Sequence, residues 1–94
     1  MDDQQQLADL RHQIDTLDHE LLELLARRMA AVKTIGQYKK ARTLEPFDPE
    51  RWQSLLAERL ALARSLHLSE KFVTKIYQII HEYALAIEAE VDAP

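Results

Sequence analysis

Cysteine is absent, glycine occurs once and proline three times in 94 residues. Without Cys there is neither a disulfide nor a thiolate metal site. With so few turn-formers the chain can reverse sharply in few places, which favours long helices over many short strands. Long apolar runs are also missing, and none approaches the ~20 residues that cross a bilayer. The opening residues, Met1-Asp2-Asp3-Gln4, hold neither a basic nor an apolar stretch. No secretory leader is therefore expected, and the reading is cytoplasmic, with no membrane partner. Excess positive charge is lacking too. The formal net charge of −4 argues against a nucleic-acid partner, so any anion must be held by a local cluster of Lys and Arg. What is present, 47% hydrophobic and 30% charged residues, is globular composition and not disorder. The length suits one domain, 1–94, at the small end for a self-sufficient core.

Three helical segments follow from the apolar spacing. The first is predicted from about Leu7 to about Ala41. One register of its heptad reads Leu7, Ile14, Leu21, Arg28, Ile35, and the other Leu10, Leu17, Leu24, Ala31, Tyr38. Steps of three and four sustained over this length mark a helix and resemble a coiled-coil seam. A break covers Arg42 to Phe47. Asp48 as N-cap, Pro49 at the first helical position and Glu50 in the first turn then start a second helix, which runs to about Ser65. Its inward face is Trp52, Leu55, Leu56, Leu60 and Ala63. Ser69 caps a third helix, with Val73, Ile76, Tyr77, Ile80, Ala84 and Ile87 inward and fraying expected after Glu88.

The first helix creates a size problem. At ~1.5 Å per residue it spans ~52 Å. A compact chain of this length measures only ~32 Å across. The rest of the chain can cover about half of the apolar stripe, so a second copy with the long helices packed along each other is expected.

Arg28 is the anomaly of the seam, because the other members of its register are Leu or Ile. It either sets register or snorkels out of the seam, or it hooks an anion in a pocket inside the bundle. Lys39 lies eleven residues on, ~20° around the helix and ~16 Å along it, so the two cations could grip one small anion. By itself, a Lys near a helix C-terminus is more often a solvated charge that suits the dipole. Arg11 lies ~25 Å from Arg28 and ~100° around the same helix, too far to join it within one chain. It is either a solvated flank residue or, if the long helices of a dimer run antiparallel, a residue reaching the partner's pocket. Asp48 reads as a cap before anything catalytic, and Arg51 as a first-turn surface residue or a site cation. Glu82, Glu88 and Glu90 gather near a helix C-terminus, where negative charge is unfavourable. Of these, Glu88 shares a face with Ala84, His81 and Tyr77. His12, His19, His67 and His81 lack metal-ligand spacing. No nucleophile–base pair or Gly-rich phosphate loop is visible. An enzyme built from these residues would use no metal, cofactor or covalent intermediate.

The set Leu10-Arg11, Ile14-Asp15, Leu17-Asp18, Leu21-Leu22, Leu24-Leu25, Arg28, Ile35-Gly36, Lys39, Asp48-Pro49, Arg51 and Ile80-His81-Glu82 resembles the all-helical chorismate mutases from about Leu7 to Glu88. The resemblance implies an all-α intertwined homodimer of three-helix chains, each with a long first helix. It implies two pockets, each completed by an Arg from the other chain. The family reaction turns chorismate, a small dianion, into prephenate by a unimolecular pericyclic rearrangement. By resemblance, Arg28 and the second copy's Arg11 take the two carboxylates, since guanidinium forks match them. Lys39 would donate to the ether oxygen and a carboxylate. Asp48 and Arg51 would line the loop side, and Ile35, Leu55 and His81 would form pocket wall.

Three positions depart from the family pattern. Trp52 replaces a Glu that in many members accepts from the substrate's ring hydroxyl; an Arg-Trp pair occurs in some relatives. Ala84 replaces a common Ser, which removes a donor to one carboxylate. Glu88 replaces a Gln that donates to the ether oxygen, and a carboxyl can donate only while protonated. Activity is therefore expected to fall as pH rises, and Glu88→Gln to flatten that fall. Two alternatives stay open: a lyase on the same fold that splits isochorismate into salicylate and pyruvate, and a non-catalytic helical dimer.

Overall fold

A computed structural model describes residues 2–92 of the chain. It is all-helical, with α1 at Asp3–Ala41, α2 at Pro49–Ser65 and α3 at Glu70–Glu90, and no strand among the described residues. The chain divides into two compact units, one up to Ala31 and one from Val32 onward, and α1 contributes to both.

The first unit is a single helix. It begins at Asp3, four residues before the Leu7 expected from the heptad, because the Asp2 carboxylate accepts from the Gln5 N–H at 2.6 Å and caps the first turn. Pairs at i,i+4 run along its surface: Gln5 with Asp9, and His19 with Glu23. The seam side chains Leu7, Leu10, Ile14, Leu17, Leu21 and Leu24 are 46–58% exposed. Among the described residues this unit contains no other element against which they could be buried.

The second unit holds residues 32–41 of α1 with α2 and α3. Asp48, in an extended conformation, caps α2 by accepting from the Arg51 N–H at 3.1 Å, and Pro49 follows at the first helical position. Ser69 caps α3 by accepting from the Phe72 N–H. Helices α2 and α3 pack as an antiparallel hairpin. Trp52, near the start of α2, meets His81 far along α3, and Arg64 at the end of α2 pairs with Glu70 at the start of α3. The core is Val32, Leu55, Ala63, Val73, Ala84 and Val91. Trp52, Leu56, Leu60, Tyr77, Ile80 and Ile87 are half-buried at its margin. Ile76, expected inward, lies at the edge and is exposed. Phe72, Ile79 and Tyr83 form an exposed apolar face on α3 that the inward reading did not include.

Both α1 and α2 end in Schellman motifs. Leu44 N donates to Lys39 O and Thr43 N to Lys40 O; Leu68 N donates to Ala63 O and His67 N to Arg64 O. The left-handed positions are Thr43 and His67, each at φ 58°. Helix α3 extends to Glu90 and does not fray after Glu88. Lys40 Nζ donates to the Val91 carbonyl at 2.6 Å, which secures that end.

Candidate active site

Lys39 is in the last turn of α1, immediately before the Schellman turn. From there its ammonium donates to the Pro46 carbonyl at 2.6 Å and lies 2.8 Å from Glu88 Oε1 in the last turn of α3. The side chains are 21% exposed for Lys39 and 9% for Glu88. The carboxylate at the end of α3 opposes the helix dipole, and the Lys39 ammonium offsets that penalty. Glu88 Oε1 is shielded from water and accepts no directed hydrogen bond among the described residues. Its 2.8 Å approach to Lys39 is thus a charge contact without hydrogen-bond alignment. A shielded carboxylate oxygen beside an ammonium is a centre that can exchange charge and hydrogen bonds with an entering polar ligand.

A second cluster is aromatic. The Trp52 ring stacks on His81 with centroids 4.1 Å apart and planes at 16°. Phe47 meets the same imidazole at 5.6 Å and 59°. Leu55 and Ala84 are buried in the core, whereas Ile35 is 48% exposed within the chain. The Asp48 carboxylate is engaged in capping α2, and Arg51 is exposed. In the first unit Arg11 is exposed and Arg28 half-buried. Among the described residues no three His, Asp or Glu side chains gather as metal ligands would.

Sequence reasoning gave no role to Pro46, Phe47, Lys40 and Val91, and Gly36 entered only as part of the family pattern. Phe47 had a usable signal. An apolar residue just before the cap with another at the fourth helical position, here Trp52, is the hydrophobic-staple pattern. The Pro46 carbonyl had none, because any residue supplies one.

These features define a helical protein with a partly buried ammonium–carboxylate centre and, in the same unit, an aromatic stack. The family description for chorismate mutase type II matches residues 10–89. An isochorismate pyruvate lyase of Pseudomonas aeruginosa is 38% identical over 82% of this chain and 76% of its own length. A chorismate mutase of Methanocaldococcus jannaschii is 28% identical over 92% of this chain and 87% of its own. A bifunctional chorismate mutase/prephenate dehydratase of Escherichia coli is 33% identical over 81% of this chain and 20% of its own. The chain belongs to the chorismate mutase type II family.

Proposed function

We infer that this chain is a chorismate mutase, an isomerase acting as one domain over 1–94 in an intertwined homodimer in the cytoplasm. The observation that carries the reading is the Lys39–Glu88 centre, 2.8 Å across and largely withdrawn from water. In the reaction the ether C–O bond breaks as a C–C bond forms, so negative charge grows on the ether oxygen. Lys39 donates to that oxygen and to a carboxylate, and Glu88 donates to the same oxygen while protonated. Donors held in place before the reaction stabilise such charge without reorganising. Arg28, and Arg11 of a second copy, take the two substrate carboxylates and hold the folded conformer. Trp52, His81, Leu55, Ile35 and Ala84 form the wall, with Asp48 and Arg51 on the loop side. The 46–58% exposure of the α1 seam supports the second copy.

A second reading, isochorismate pyruvate lyase, is favoured by the Trp52–His81 stack. An indole presents no carboxylate to a ring hydroxyl. The similarity to the Pseudomonas protein points the same way. Supplying chorismate and isochorismate separately and identifying the products decides the matter. Prephenate from chorismate is the expected result. Salicylate and pyruvate from isochorismate alone would establish the lyase, and no turnover of either would leave a non-catalytic helical dimer.

A further inference from the structure

Gly36 is buried in α1 against the last turn of α3. A Cβ at this position would come within 2.8 Å of Glu88 Cα, 3.0 Å of Val91 Cγ2 and 3.2 Å of Glu88 Cγ. The first of these is a backbone atom, which cannot step aside as a flexible side chain can. One turn further along α1, the Lys40 ammonium donates to the Val91 carbonyl at 2.6 Å. Val91 is buried, and α3 has no basic residue in its own last turn. Lys40 therefore adds, beside Lys39, a second cation from another helix at the negative end of α3, which has none of its own.

We propose that Gly36, Lys40 and Val91 form a clasp that seats the end of α3 on α1 and so sets the Lys39–Glu88 pair. Gly36 is then a positioning residue: it touches no substrate and acts through the placement of Glu88. The catalytic consequence rests on the functional reading above, in which Glu88 donates to the ether oxygen. The clasp explains why an α-helix ending in Glu88, Ala89 and Glu90 holds together where its own charges disfavour it. It also explains how a glycine is tolerated inside a long helix despite its low propensity.

The test has a structural arm and a kinetic arm. Amide hydrogen exchange is followed at residues 86–91 in the parent, Gly36→Ala, Lys40→Met and Lys40→Arg. Exchange should quicken about tenfold or more in Gly36→Ala and Lys40→Met, and return close to the parent rate in Lys40→Arg. Amides of α2 should not change. Alanine is the better helix former, so α1 itself is not weakened by the first substitution. Should Gly36→Ala fail to fold, the two Lys40 variants carry the comparison. In the kinetic arm, Gly36→Ala should lower kcat roughly tenfold, with KM within about twofold, since small misplacements of catalytic groups are costly. In a Glu88→Ala background the same substitution should cost almost nothing more. Unchanged exchange at residues 86–91, or an equal kcat loss with and without Glu88, overturns the clasp. A parent protein that turns over neither substrate defeats the functional reading alone, and the exchange arm still decides the clasp.

Discussion

Glu88 and Lys39 share a charge contact but not its risks. The carboxylate is the more buried partner, and among the described residues its Oε1 accepts no hydrogen bond. Removing Lys39 strands a buried negative charge, whereas removing the charge of Glu88 leaves an ammonium that still donates to Pro46. Lys39→Met should therefore cost about 3 kcal/mol in urea unfolding, near the low end for breaking a buried pair because Lys39 is partly exposed. Glu88→Gln alone should cost much less, and adding Glu88→Gln to Lys39→Met should restore most of the loss; equal single losses would refute this asymmetry. In the chorismate mutase reading, Glu88 serves as a donor to the ether oxygen. Glu88→Ala should then lower kcat by on the order of a hundredfold. Glu88→Gln, whose amide keeps a donor, should retain most of the activity. A Glu88→Ala protein as fast as the parent would remove Glu88 from the chemistry and leave Lys39 as donor.

Helix ends, more than helix interiors, position the centre. Asp48 and Ser69 each satisfy an orphan N–H at the start of their helices. Asp48→Ala and Ser69→Ala should each lower stability by about 1 kcal/mol. Asp48→Asn keeps the cap. If Asp48 only caps, its kcat should match the parent, and a loss of kcat without loss of stability would give Asp48 a part in the site. Thr43 is the opposite case. A β-branched residue at φ 58° is strained in a position usually given to glycine. Thr43→Gly should gain roughly 0.5–1 kcal/mol, measured by the urea midpoint, because relief of strain outweighs the added freedom of the unfolded chain.

At the scale of the whole molecule, six seam residues of α1 are about half exposed in the single chain. Apolar surface of that extent calls for cover. Sedimentation equilibrium should find a dimer at micromolar concentration, and a folded monomer of 10.9 kDa would rule it out. Arg11→Ala and Arg28→Ala should each nearly abolish turnover while the helical circular dichroism stays intact. Mixed and refolded together, the two inactive proteins should recover part of the activity. Each heterodimer then has one pocket with both arginines and one with neither. No recovery despite demonstrated heterodimers would separate Arg11 from the partner's pocket.

Local patterns were legible in the residues alone. The heptad from Leu7 to Tyr38 specified α1, and Asp48-Pro49 and Ser69 specified the starts of α2 and α3. Each depends on groups a few positions apart, whose geometry a helix sets by itself. The family was legible for a related reason: cations and apolar residues at particular helical spacings persist as a pattern along the chain. The left-handed turns at Thr43 and His67 were not legible, because no glycine marks them. Nor was the meeting of Lys39 with Glu88, 49 positions away, or the seating of Val91 on Gly36. Those depend on how closely two helix ends approach. That closeness is decided by the missing Cβ at Gly36, the Lys40–Val91 bond and the burial of Val91 acting together, and no spacing within either helix encodes it.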